Sequence, residues 1–424
     1  MWSRQNYGPN SQEASPLTVH FLVAHGYQSV TAGEMPPRRR DRRRPRDPSP
    51  PPSDARPPPS ASGFRLTLLA PVVVLVLVLA ALSFSGRLSR SPPHPRTLQT
   101  TAHSVYERGL VKRDVSAKEI LTEHTRVSEN RSRRHFPNPV LAYVTPWNSK
   151  GYDMAKLFSA KLTHVSPVWY DLKSDRNRLV LEGEDNFDAT WVSELQSNGS
   201  LVVPRVVLEA FPAVVLLEEK QKEKAIDLIV NECRDKGYDG IVLESWSRWA
   251  VYGVLDDSEL RYMALQFVKK LGEALHSISS KSSTRHLELI YVIPAPRMQE
   301  LNNQDFGPED LQQLVDSLDG FSYDIRLLRA SKSWSQCTFE VGSGGGAIIG
   351  RDFVHLLEKY KPSLQWDEKS LEHFFIYSDE GVKHAVFYPT LMSLSVRLDE
   401  AQKWGTGLSI WEIGQGLDYF FDVL

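Results

Sequence analysis

The chain has 424 residues, of which 41% are hydrophobic and 24% charged. This composition excludes a chain that is disordered over its whole length. Residues 1–65 hold ten Lys/Arg and five Asp/Glu, a net charge of +5, which leaves the remainder at −7. A mildly acidic body argues against non-specific nucleic-acid binding. The only two cysteines, Cys233 and Cys337, exclude a disulfide scaffold and a Cys-only zinc site.

Residues 66–84 form an uncharged apolar run close to the roughly 20 residues that a transmembrane helix needs. Seven arginines between Arg38 and Arg46 precede it, and the positive-inside rule keeps that side in the cytosol. We therefore predict an uncleaved type II signal anchor, with a cleaved signal peptide as the alternative. The protein is expected in a membrane of the secretory pathway (endoplasmic reticulum, Golgi or endolysosomal). If the segment is cleaved, the protein is expected to be secreted or lysosomal.

The segments on either side of this run are predicted to lie outside the folded domain. Residues 1–65 include a proline-rich stretch and are expected to form a disordered cytosolic arm. Residues 85–135 are polar and are predicted to form a luminal stem, with one helix at 116–128. Asn130 and Asn198 lie in glycosylation sequons on the predicted luminal side.

From residue 136 to residue 424, short apolar runs alternate with amphipathic segments. Fully apolar strands separated by helices indicate a parallel sheet covered on both faces. An open doubly wound sheet and a closed barrel both fit, and the number of units favours a (β/α)₈ barrel. The predicted strands are 140–147, 162–170, 200–209, 238–246, 287–296, 318–324, 384–390 and 407–414. The predicted helices are 216–236, 257–277, 307–318, 351–359 and 391–404.

Aromatic and acidic residues stand at the predicted strand ends, where barrel enzymes place their working side chains. Trp147, Trp246 and Trp411 each follow an apolar run, as do Glu244 and Glu412. Aromatic rings with nearby acceptors suit pyranose sugars, whose C–H faces stack while their hydroxyls form hydrogen bonds. The alternative is that the tryptophans fill the core, as large aromatics often do.

The run from Tyr238 to Trp246, YDGIVLESW, resembles the fourth-strand signature DGxDxDxE of glycoside hydrolase family 18, the chitinases. The first strand (141–147) and the last helix and strand (387–412) are also similar to that family, and 409–421 resembles its chitinase domain-containing, chitinase-like branch. The resemblance covers residues 136–424 and implies a TIM barrel with a small insertion at about 360–385. Tyr323 and Asp324 resemble the family's Met-x-Tyr-Asp element.

The departures from the signature bear on activity. In the family's register, Val242, Glu244 and Trp246 point into the barrel where the family has Asp, Asp and its general acid Glu. Tryptophan has no transferable proton of suitable pKa, so Trp246 cannot protonate a glycosidic oxygen. Catalysis by Glu244, with Glu209 or Glu412 as a second carboxylate, is the alternative.

The seventh strand of the barrel is missing from the expected place. After residue 324 the chain continues without a convincing apolar run, and 337–341 is the only candidate. A barrel that lacks a strand exposes two edges and is poorly stable.

We therefore predict a chitinase-like protein that binds chitin or N-acetylglucosamine-type oligosaccharides without efficient cleavage. Trp147, Trp246 and Trp411 would stack on the sugars, and Glu244, Tyr323 and Asp324 would hydrogen-bond to them. A weak hydrolase or transglycosylase and a non-enzymatic interaction scaffold are the two alternatives. No catalytic residue, metal or cofactor is predicted, and no nucleic-acid partner; the membrane is contacted through residues 66–84.

Overall fold

The computed structural model describes residues 19–24, 98–175, 178–282, 285–294, 305–323 and 348–424. Across these described ranges, no helix has both the length and the apolar character that a membrane crossing requires. The predicted anchor at 66–84 lies outside the described residues.

The architecture is an α/β barrel, as predicted. Strands β8 (Leu201–Val202) and β9 (Arg205–Leu208) are separated only by Val203 and Pro204. Strand β8 pairs with β5 (His164–Pro167) and β9 pairs with β10 (Gly240–Glu244), so the sheet closes on itself. The strands in barrel order are β4 (Val140–Val144), β5 (His164–Pro167), β8 (Leu201–Val202) with β9 (Arg205–Leu208), β10 (Gly240–Glu244), β11 (Glu288–Ile293), β12 (Gly320–Tyr323), β1 (Val19–Ala24) and β16 (Gly407–Ile410).

Helices cover the outer face of the barrel. The helices in chain order are α1 (Ala117–Glu123), α2 (Ser149–Leu157), α3 (Ala189–Ser197), α4 (Glu219–Lys236), α5 (Trp246–Val251), α6 (Ser258–His276), α7 (Pro308–Leu314), α8 (Gly350–Tyr360) and α9 (Leu391–Lys403). Because helices cover one face and side chains fill the barrel on the other, the strands are largely apolar; all five residues of β4 are buried. Asp257 caps α6 by accepting hydrogen bonds from the N–H groups of Glu259 and Leu260.

Strand β1 occupies the position of the missing seventh strand. It runs parallel to β12 on one side and to β16 on the other, with Val19 opposite Gly320 and Phe21 opposite Gly407. This corrects the prediction that residues 1–65 are disordered throughout, because six of them belong to the sheet. The alternative candidate, 337–341, lies outside the described residues.

Residues 98–135 belong to the barrel domain rather than to a stem. Strands β2 (Gln99–Thr101) and β3 (Arg126–Ser128) pair with each other, and Ile120 of α1 lies in the main hydrophobic core. The N–H of Ser128 donates to both carboxylate oxygens of Asp422, at 3.0 and 2.9 Å. Since the segment packs against the C-terminus, the folded domain extends from residue 98, and its helix is shorter than the predicted 116–128.

Two antiparallel elements are added to the barrel. A hairpin of β6 (Tyr170–Asp175) and β7 (Arg178–Glu182) follows β5, and β6 pairs with β9. A separate sheet contains β13 (Gln365–Asp367), β14 (Glu372–Asp379) and β15 (Val382–Tyr388). This sheet lies where the insertion was predicted. The run at 384–390 therefore belongs to the insertion and not to the barrel.

Candidate functional site

Glu244 lies at the carboxyl end of β10 and is held by an arginine from the neighbouring strand. Nε of Arg205 donates to Oε2 of Glu244 at 2.8 Å, and Nη2 of Arg205 contacts the same oxygen. Oγ of Ser247 donates to Oε1 at 3.1 Å. The two charged side chains are only 15% and 18% exposed. Both carboxylate oxygens of Glu244 are therefore already engaged, Oε2 by Arg205 and Oε1 by Ser247.

The barrel interior next to this ion pair is lined by one apolar cluster. Its buried members are Leu141, Tyr143, Val203, Val242 and Ile290, and Trp411 packs against them. Val242 therefore faces the interior, as the register predicted. An aliphatic side chain in this place offers no proton and no hydrogen bond.

Tyr143 supplies a hydroxyl inside the barrel. Its Oη lies 3.0 Å from Oγ of Ser322, which in turn lies 3.2 Å from Oγ of Ser409. Burial raises the pKa of Tyr143 to about 12. The phenol is therefore neutral at physiological pH and serves as a hydrogen-bonding group.

Trp411 connects Tyr143 to the ion pair. The rings of Trp411 and Tyr143 have centroids 5.3 Å apart and are tilted by 48°. The guanidinium of Arg205 lies 5.3 Å from the centre of the Trp411 ring, within the range of a cation–π contact. Glu244, Arg205, Trp411 and Tyr143 thus form a continuous set of contacts in the barrel, and the indole is partly exposed.

Trp246 does not belong to this set, which corrects the prediction that it stacks on sugar. Strand β10 ends at Glu244, and Trp246 is the first residue of α5. Its side chain is 0% exposed and packs edge-on against Phe306, at 5.0 Å between ring centroids. The Arg261 guanidinium lies 4.9 Å from its ring centre. Because α5 begins there, the alternation of a strand no longer applies at this position.

The two other carboxylates proposed as catalytic partners already form an ion pair or hydrogen bonds with other side chains. Glu209 pairs with Arg248, at 2.6 Å between Oε1 and Nη2. Glu412 accepts hydrogen bonds from Oγ1 of Thr145 and, at 3.1 Å, from Nδ2 of Asn148. Glu412 is 1% exposed, and burial raises its pKa above the usual value. It therefore joins the end of β16 to the loop after β4.

The remaining predicted residues have different surroundings. Trp147 follows β4 and is 72% exposed, so its ring is open to solvent. Tyr323 ends β12, and Asp324 lies outside the described residues. The side chains of both predicted glycosylation sites, Asn130 and Asn198, are exposed.

Sequence reasoning missed Arg205 and Tyr143. Arg205 interrupts an apolar run, SLVVPRVVLE, and an arginine in a buried strand requires a counter-charge. That requirement was the available signal for a carboxylate partner in the barrel. The partner itself could not be identified, because Arg205 and Glu244 lie on different strands.

The fold is that of glycoside hydrolase family 18 chitinases. A chitinase from Chromobacterium violaceum superposes with a TM-score of 0.51 at 17% identity, covering 68% of this chain and 98% of that chain. A class V chitinase from Nicotiana tobaccum gives 0.51 at 13% identity, with 68% and 97% covered. A Cycas revoluta chitinase in complex with (GlcNAc)4 gives 0.50 at 11%, with 67% and 97% covered. No protein-family profile matches the sequence.

Proposed function

We propose that this protein binds N-acetylglucosamine-type oligosaccharides, such as chitin fragments, without cleaving them efficiently. One observation carries the proposal: at the end of the fourth barrel strand, Glu244 is ion-paired and Trp246 is buried. Trp246 has no transferable proton of suitable pKa, and both oxygens of Glu244 are already engaged by Arg205 and Ser247. The barrel interior nevertheless keeps an aromatic ring and hydrogen-bonding groups that suit a sugar.

Trp411 and Trp147 are the stacking rings in this proposal. Trp411 is partly exposed beside Arg205, and Trp147 stands open after the first strand. The guanidinium of Arg205 and the carboxylate of Glu244 provide the donors and the acceptors for hydroxyl and acetamido groups. The similar fold of the Cycas revoluta chitinase, which was solved with (GlcNAc)4, supports the ligand class. Tyr323 and Asp324 keep the hydrogen-bonding role suggested by their resemblance to the family's sixth-strand element.

Calorimetric titration of the full-length protein with chitotetraose tests the site. Trp411→Ala removes the ring that contacts Arg205 and Tyr143, and we expect a roughly two- to tenfold loss of affinity, since an aromatic stacking contact is worth about 0.5–1.5 kcal/mol. Trp404→Ala is the matched control, because Trp404 is 69% exposed and precedes β16, whereas Trp411 follows the strand at its other end. Equal affinities for the two variants would place the sugar elsewhere.

Activity separates this proposal from a slow hydrolase. We expect no release of fluorophore from a chitobioside substrate above the background of Glu244→Gln. A rate that disappears in Glu244→Gln would instead establish Glu244 as a catalytic residue. If the parent protein neither binds nor cleaves the sugar, the interaction scaffold becomes the better description.

For location, we propose a secretory-pathway membrane with the barrel on the luminal side. The exposed side chains of Asn130 and Asn198 are accessible to glycosylation, and endoglycosidase treatment should therefore lower the apparent mass. A single crossing at 66–84 would separate residues 19–24 from the barrel. The type II topology and the pairing of β1 within the barrel sheet therefore exclude each other. Labelling of a Gln28→Cys variant decides between them: a thiol that reacts from the cytosolic side supports the type II topology, and one that reacts only from the luminal side contradicts it.

A further inference from the structure

Two histidines and an aspartate from three separate elements meet at the amino-terminal end of the barrel strands. His276 is the last residue of α6, His286 precedes β11, and Asp319 precedes β12. Nε2 of His276 lies 2.9 Å from Oδ2 of Asp319, and Nε2 of His286 lies 2.8 Å from Oδ1. The two imidazole rings are 4.2 Å apart between centroids. This cluster is remote along each strand from the proposed sugar site.

The three side chains form a ligand set for a divalent transition metal. One ligand atom from each of them lies within 4.8 Å of the others. Ligand atoms around a tetrahedral zinc ion are roughly 3.3 Å apart, given bonds of about 2.0–2.1 Å. Small side-chain rotations therefore bring the imidazole nitrogens and a carboxylate oxygen to binding distance. Two imidazoles and one carboxylate are a common zinc set, with water as the fourth ligand.

The surroundings favour a bound cation. The N–H of Leu289 donates to Oδ2 of Asp319 at 2.7 Å and fixes the carboxylate, as outer hydrogen bonds do in metal sites. The side chains of His276 and His286 are 24% and 44% exposed, so an ion can reach them from solvent.

We propose that His276, His286 and Asp319 bind one zinc ion or a similar divalent transition metal, which joins α6 to β11 and β12. A plain hydrogen-bonded His–Asp–His cluster is the competing explanation, and it requires no metal. The two explanations differ in their response to added Zn²⁺. They also differ in their response to a substitution that keeps the hydrogen bond but loses the ligand.

The experiment is a calorimetric titration of chelator-treated full-length protein with ZnCl₂. His286→Gln keeps an N–H donor for Asp319, whereas an amide is a poor zinc ligand. We expect the parent to bind one equivalent, and the variant to lose more than the roughly 10–100-fold that loss of an outer-shell partner costs. His355→Gln, which changes an exposed histidine of α8, is the control and should bind as the parent does.

Cobalt provides a second readout. Co²⁺ in a four-coordinate site of the parent should give intense visible absorption. This absorption should disappear when Zn²⁺ displaces Co²⁺, and it should be absent in Asp319→Asn. Thermal unfolding without metal shows whether each variant is folded before its titration is interpreted. Absence of saturable binding by the parent, or equal affinities for His286→Gln and His355→Gln, would overturn the proposal. Because the cluster lies apart from Trp411, titration with chitotetraose should be unaffected by His286→Gln.

Discussion

The ends of the fourth and eighth barrel strands carry the same two residue types in opposite arrangements. At the end of β10, Glu244 contacts Arg205 at the barrel interior, and Trp246, two residues further on, is buried in the outer core. After β16, Trp411 packs against the interior cluster, and Glu412 is buried against Thr145 and Asn148. Each end thus directs one residue toward the site and uses the other to hold the structure together.

The backbone explains the difference. Strand β10 passes directly into α5, and the helix turns Trp246 into the core between strand and helices. Strand β16 ends at Ile410, and Glu412 has a left-handed backbone with φ of 57°, which is uncommon for a residue with a side chain. The alternation that predicts side-chain direction applies only as far as the strand extends. The type of residue found near a strand end is therefore a weaker guide to function than the exact position at which the strand stops.

Trp246→Ala tests the structural side of the comparison and should have the largest effect. Removing a completely buried indole costs about 3–5 kcal/mol of unfolding free energy, measurable by denaturant titration. Trp147→Ala is the exposed control, and we expect a change within about 0.5 kcal/mol. If Trp246→Ala retained parental stability but lost sugar affinity, Trp246 would have to be a ligand residue.

Glu244→Gln tests the interior side of β10. The substitution leaves the Arg205 guanidinium without a counter-charge in a largely buried place, and we expect a loss of about 1–3 kcal/mol in unfolding free energy. Replacing both partners, in Arg205→Met with Glu244→Leu, should recover part of the loss, because apolar pairs of similar volume often substitute for buried ion pairs. Additive effects in this double-mutant cycle would contradict a direct interaction.

The sequence was sufficient to predict much of the barrel. Fully apolar runs such as the one containing β4 are typical of parallel strands buried on both faces, and most predicted strands lie within a few residues of the observed ones. The ends were harder to predict, because the point at which β10 becomes α5 depends on packing around Trp246. The run at 384–390 has the composition of a barrel strand, and only its antiparallel pairing with β14 shows otherwise.

Long-range partners were beyond the reach of the sequence. The pairings of β1 with β12 and with β16 join residues about 300 and about 390 positions apart, so no local pattern indicates them. Similarly, the stem interpretation followed from polar composition, whereas Ser128 is fixed by Asp422 near the other end of the chain. The Arg205–Glu244 pair and the His276–Asp319 contact also cross between elements.

The smallest expected effect concerns Glu412, the buried carboxylate of the eighth strand end. Burial raises its pKa in the folded protein above the ordinary value of 4.5, so the folded state holds the proton more tightly than the unfolded chain does. The resulting contribution to stability is fully present below the unfolded pKa and is lost as the pH rises through the folded pKa. Glu412→Gln removes this titration while keeping hydrogen-bonding groups near Thr145 and Asn148.

The prediction for Glu412 is therefore a difference between two pH profiles of unfolding free energy. From pH 4.5 upward, the parent should lose stability relative to Glu412→Gln, and the difference should level off once the folded carboxyl is ionised. Glu209→Gln is the matched control, since Glu209 is half-buried and ion-paired with Arg248 instead. Parallel profiles for the parent and Glu412→Gln would mean that the hydrogen bonds to Glu412 fully offset its burial.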